Sequence, residues 1–289
     1  MNSNNYNPYF EEPVNTLENE ACAITEFKKE RKDFLITIAC YLTVFYVVAS
    51  VLQIILLAVF ASIYEVDISS VLSDSPAYYD MLTWSNFLTY VVCLGPVLLL
   101  TLKYIIKDFK TAFKDVKGTL LLILMGIGIM YAASIIATVI VELLTLNLDA
   151  SGSSENQEVI EALISSSPTN ALLMVITTVL LAPVLEEIIF RKCLFGVFKN
   201  KTLLTIAISA IVFAGIHVVP ACIGIALDIL MQGGSTLTDL YIEAIYIISY
   251  LGQAIAMSYI YHRSNHNIVP SIIIHIFNNV VATLAILLM

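Results

Sequence analysis

Charge is what this sequence has least of. Only 13% of its 289 residues are Asp, Glu, Lys or Arg, about half the usual share of a soluble globular chain. Positive charge is the scarcer sign, with 14 Lys and Arg against 23 Asp and Glu and a net charge of −9. That balance argues against a nucleic-acid partner. Five cysteines (Cys22, Cys40, Cys93, Cys193, Cys222) stand in no zinc or disulfide spacing and read as small buried hydrophobes. There is no His-Glu-x-x-His helix and no Gly-x-Ser-x-Gly elbow, which removes standard zincins and nucleophile-elbow hydrolases. Gly215 and the pair Gly233-Gly234 are isolated and form no phosphate loop. What fills the chain instead is apolar: 59% of residues are hydrophobic, with a mean hydropathy of +0.88. A disordered chain and an ordinary soluble enzyme are excluded, and a polytopic membrane protein remains.

Residues 1–33 are polar, and no short apolar segment opens them as a cleavable signal would. We expect a poorly ordered cytoplasmic tail there. Beyond it, apolar runs at 34–63, 82–102, 119–146, 170–198, 203–219, 240–261 and 268–289 each approach or exceed the ~20 residues that cross a bilayer. The piece 221–231 is about half a span and reads as re-entrant, interfacial or a short eighth helix. The expected fold is therefore an all-α polytopic transmembrane bundle of seven spans plus that extra piece. Its parts are the tail (1–33), N-terminal membrane helices (34–146) and a C-terminal membrane domain (170–289). Within 103–118, apolar Ile105, Ile106, Phe109, Ala112, Phe113 and Val116 alternate with lysines. This spacing predicts an interfacial amphipathic helix resting on anionic lipid.

The basic residues orient the chain. All 14 fall in the tail, in 103–118, in 191–201 or at Arg263, while 64–81, 147–169 and 220–239 contain none. The N-terminus is therefore expected in the cytoplasm, and the plasma membrane is the expected location.

Ionisable groups at membrane depth are costly and mark function. Glu187 and Arg191 are four apart on one helix face and can pair. Glu186 lies about 100° round the helix and lacks that partner, which makes it a candidate general base. Glu186 and His217 are equally distant from the turn Lys199-Asn200-Lys201-Thr202, about 23 Å along each helix. A hairpin places them side by side. His275, Asn278 and Asn279 share a face of the last span at a similar depth. Pro183 is expected to kink its helix before Glu186, and Pro220 to close the helix carrying His217. Ser249, Gly252 and Ala256 form a small-residue face suited to close packing. Glu142 stands apart and reads as interfacial.

Two chemistries suit these groups. In one, Glu186 takes a proton from water that His217 orients, while His275 and Asn279 donate to a tetrahedral oxyanion. In the other, Glu186, His217 and His275 bind Zn2+ with water in the fourth position. Residue types do not decide between them.

The order Glu186-Glu187-x-x-x-Arg191, Phe213-x-x-x-His217, His275-x-x-x-Asn279 resembles the CPBP family, the CAAX-protease and bacteriocin-processing (Abi) membrane proteins, over roughly 170–289. The resemblance implies an intramembrane endopeptidase acting on membrane-associated or lipidated substrates, within membrane lipid. It implies Glu186 and His217 on the water, His275 and Asn279 on the oxyanion, and Glu187, Arg191 and Phe213 as support; metal-free and zinc mechanisms both stay open. A non-catalytic bacteriocin self-immunity or peptide-binding membrane protein is the second reading, and a transporter the third. A reporter fused at residue 265 is expected on the cytoplasmic side; an external signal would overturn the seven-span order.

Overall fold

In lipid, every backbone polar group must be satisfied within its own segment, so long apolar runs become helices. The computed structural model describes residues 16–72, 75–148, 152–198 and 201–288. Residues 1–15 of the expected tail lie outside this range, as do Asp74, Asp149 and the turn residues Lys199 and Asn200. So does the side chain of Cys22.

Helix α1 runs Thr16–Thr43, passes through a π-helical turn at Val44–Val48 and continues over Ala49–Ile63. α2 is Pro76–Lys114, α3 Val116–Thr145 and the short α4 Glu155–Ser166. α5 spans Pro168–Val197, α6 Thr202–Leu230, α7 Leu237–Arg263 and α8 Ile268–Leu288. Seven of these are long and apolar enough to cross a membrane, and no strand occurs among the described residues. The protein is thus an all-α, multi-pass integral membrane protein.

Polar side chains set the helix ends. The Ser75 hydroxyl accepts from the Tyr78 amide before Pro76, and the Ser167 hydroxyl accepts from the Asn170 amide before Pro168. Asp115 breaks α2 from α3 and accepts from the Gly118 amide at 2.9 Å. Thr236 and Asp239 form a reciprocal capping box opening α7. α5 is the most enclosed span, with 56% of its apolar window buried against 17–39% for the others. Leu185, Ile188, Ile189 and Phe190 seat it in the main core against Tyr41 and Cys93.

Four expectations are corrected. Residues 16–33 extend α1 rather than forming part of a structureless tail. The 103–118 segment is no separate interfacial helix, because α2 continues to Lys114. One side of the segment meets protein: Lys103 and Tyr104 bind Asp33 of α1, Asp108 binds Lys192 and the Ile268 amide, and Ile105 and Ala112 are buried, whereas Ile106, Phe109, Phe113 and Val116 stay exposed. Residues 221–231 are neither a re-entrant nor an eighth helix, and Pro220 does not close its helix. α6 passes straight through Pro220 to Leu230, since one lost backbone bond is tolerated inside a long membrane helix. Short helices lie instead in the loops, at Ile68–Val71 between the first and second spans and as α4 between the third and fourth.

The small-residue face of α7 divides. Ser249 opens onto a cavity, whereas Gly252 touches α3, where an added Cβ would lie 3.2 Å from the Ala133 carbonyl oxygen and 3.3 Å from Ala137 Cβ. Gly252→Leu is therefore expected to cost about 1–3 kcal/mol by overpacking. Gly95→Leu, in open space, serves as control; equal melting temperatures for the two in detergent would contradict this packing.

Candidate active site

α5 changes register twice around its carboxylates. π-helical segments at Ile176–Leu181 and Glu187–Cys193 flank the five α-helical residues Ala182–Glu186. Such wide turns recur at functional sites. Pro183 explains one consequence. In the π register the Ala182 amide bonds the Thr177 carbonyl, five residues back. The next such bond would run from residue 183 to Thr178, but proline has no N–H. Asn279 of α8 supplies the donor instead, with Nδ2 at 2.7 Å from the Thr178 carbonyl oxygen. Asn278 donates to Asn279 Oδ1 at 3.2 Å. The π register that ends at Pro183 thus anchors Asn279, a candidate site residue.

Glu187 and Arg191 are both fully buried and pair at 3.0 Å. The Arg191 guanidinium also lies over the Phe213 ring, 4.8 Å from its centroid. Phe213 then meets the His217 ring at 4.7 Å and the His275 ring at 6.1 Å. One aromatic ring on α6 thus touches the arginine and both histidines.

His275 is the meeting point of the two acids. Its Nδ1 lies 2.9 Å from Glu187 Oε1 and its Nε2 lies 3.8 Å from Glu186 Oε2. A carboxylate only accepts, so Nδ1–H donates to Glu187 and Nε2 faces Glu186. Glu186 is buried, with 4% exposure, and accepts from the Tyr90 hydroxyl at 3.4 Å. His217 Nδ1 lies 2.8 Å from the Phe213 carbonyl, which again fixes Nδ1 as donor and leaves Nε2 available. Its ring stacks on Tyr250 at 4.7 Å and 23°.

Glu186, His217, His275, Asn278 and Asn279 line one cavity of about 440 Å³, together with Tyr90, Phe213 and Tyr250. Glu187 and Arg191 lie behind it. Glu142, near the end of α3, is exposed and takes no part. Tyr90 and Tyr250 carried no signal in the sequence, since an aromatic residue inside a span reads as ordinary core or lipid contact.

A zinc ion does not fit the donors as they stand. Among the described residues no three His, Cys, Asp or Glu side chains converge as a metal-binding group. Glu186 and His275 approach each other, and His217 lines the same cavity without completing a three-donor group with them.

The class this defines is a multi-pass membrane protein with an acid–histidine cavity at membrane depth. Residues 168–281 match the family model for the type II CAAX prenyl endopeptidase, Rce1-like family. That segment is CPBP/CAAX-protease-like, as the three motifs imply, and α1–α4 lie outside the match. No curated protein and no solved structure matches the chain.

If Asn279 replaces the donor that Pro183 lacks, the two sites are coupled. Asn279→Ala is expected to cost about 1 kcal/mol by removing the donor to a partly buried carbonyl, and much less in a Pro183→Ala background, where the backbone amide returns. Equal losses of thermal stability in both backgrounds would count against the coupling.

Proposed function

We propose that the chain is an intramembrane endopeptidase that hydrolyses a peptide bond of a membrane-associated or lipidated substrate. We place it in the plasma membrane with its N-terminus cytoplasmic. The observation that carries this reading is His275 set between two carboxylates, one tied to Arg191 and the other facing the cavity.

Glu187 and Arg191 neutralise each other and hold His275 by Nδ1. Glu186, free of the arginine, takes a proton from water in the cavity, and His217 Nε2 orients that water. The hydroxide adds to the scissile carbonyl carbon. Charge developing on the carbonyl oxygen is met by the second N–H of Asn279 and by a doubly protonated His275, which donates through Nδ1 to Glu187 and through Nε2 to that oxygen. Glu186 then returns its proton to the departing amine, and the carbon–nitrogen bond breaks. Tyr90, donating to Glu186, keeps that carboxylate turned to the cavity. The family match over 168–281 supports the reaction class; the residue roles rest on the geometry above.

Purified protein in liposomes, given a mixture of internally quenched peptides with and without a prenyl group, is expected to release fluorescence. Glu186→Gln and His217→Ala should each lower the rate by about 10²–10⁴-fold while the protein still inserts. Undiminished cleavage by both variants would sink the proposal; cleavage lost without change in peptide binding would set it apart from a peptide-binding immunity role.

A further inference from the structure

Helix alternation gives the bundle two ends. At one end lie the turns near Asp115, Lys201 and Ser264–Asn267; at the other lie the segments between α1 and α2, α3 and α5, and α6 and α7, with the C-terminus of α8. The cavity belongs to the second end. Its deep wall is Glu186, Phe213, Gln253 and His275, and its mouth is formed by Gly152, Ser153, Ile160 and Ile286. No residue lining it comes from the turns of the first end. The roof is the start of α4. Ser154 and Asn156 bind the Tyr250 hydroxyl at 2.9 and 3.2 Å, and the Glu155 amide donates to Glu243 at 3.0 Å. Tyr250 in turn stacks on His217, so the roof is joined to a proposed catalytic ring.

Charge tells the ends apart. The segments 64–75, 146–167 and 231–236 of the second end hold no Lys or Arg, while Lys117, Lys201 and Arg263 lie beside the turns of the first. Basic loops stay in the cytoplasm, so the mouth faces away from it.

The lining tells what enters. Among the described residues that line the cavity there is no Lys or Arg to meet a terminal carboxylate, but there are carboxamides at Asn86, Asn156, Gln157, Gln253, Asn278 and Asn279. Asn86 Oδ1 is buried with no protein partner. Carboxamides offer both a donor and an acceptor, as peptide groups do.

Resting on the endopeptidase reading, we propose that the substrate is an internal, extended peptide segment presented on the extracytoplasmic side of the membrane. It passes under the α4 roof to reach Glu186, and it is not a cytoplasmic chain end.

Two measurements test this on the full chain in intact cells. The first is labelling by a membrane-impermeant maleimide, read above the background of the unaltered chain. Ser153→Cys and Gln253→Cys are expected to label from outside, and Lys201→Cys only after permeabilisation. Gln253→Cys labelling only from the Lys201 side, or Lys201→Cys labelling in intact cells, would overturn the proposal. The second uses impermeant quenched peptides with amidated C-termini. They are expected to be cut by intact cells at least tenfold faster than by sealed inside-out vesicles, and not by the Glu186→Gln variant. Faster cutting by the vesicles would overturn the side assignment. Absence of cutting anywhere, with external labelling intact, would instead count against the endopeptidase reading alone.

Discussion

The buried pair of Glu187 and Arg191 is the interaction on which the site depends. Both side chains are wholly removed from solvent, which costs several kcal/mol for each ion before their attraction is counted. Such a pair adds little net stability, but losing one partner leaves an uncompensated charge worth about 3–5 kcal/mol. Its value here is positional. Arg191 lies on Phe213, Phe213 meets both histidine rings, and Glu187 fixes the Nδ1 side of His275. The neighbouring Glu186 is thereby left to the cavity with Tyr90 and the free side of His275. Two adjacent glutamates on one helix thus meet different surroundings, and a division of labour follows from one arginine placed four residues on.

The N-terminal helices complete what the C-terminal segment begins. α2 brings Tyr90 and Asn86 to the cavity, and the loop before α5 brings the roof. Both lie outside residues 168–281, the part that matches the CAAX-protease family model. A comparatively polar chamber within an otherwise apolar bundle is therefore built jointly. The family-like segment carries the acids and histidines, and the preceding helices carry amides, a tyrosine and a cover.

Much of this was legible in the sequence because membrane and helix geometry impose strict periods. Long apolar runs named the spans, and four-residue spacings named the Glu187–Arg191 face and the His275–Asn279 face. Other features were hidden for physical reasons. Span ends were blurred because α2 continues past the apolar run to Lys114, held there by polar contacts of Lys103 with Asp33 and of Asp108 with Lys192. Pro220 carries the local signature of a helix end, but within the long membrane helix α6 its one missing backbone bond is tolerated. Asn279 was visible as a polar residue, but its anchor at Thr178 arises from a π register that no periodicity reports. Tyr90, Tyr250 and the α4 roof depend on which helices become neighbours, which spacing along one helix does not encode.

The central claim is that Glu187 holds the site together whereas Glu186 is free of that duty. Thermal unfolding of purified Glu186→Gln and Glu187→Gln, side by side in one detergent, tests it most directly. A clear fall in melting temperature is expected for Glu187→Gln, which leaves Arg191 buried without its counterion, and little or no fall for Glu186→Gln. Equal melting temperatures, or a larger fall for Glu186→Gln, would contradict it.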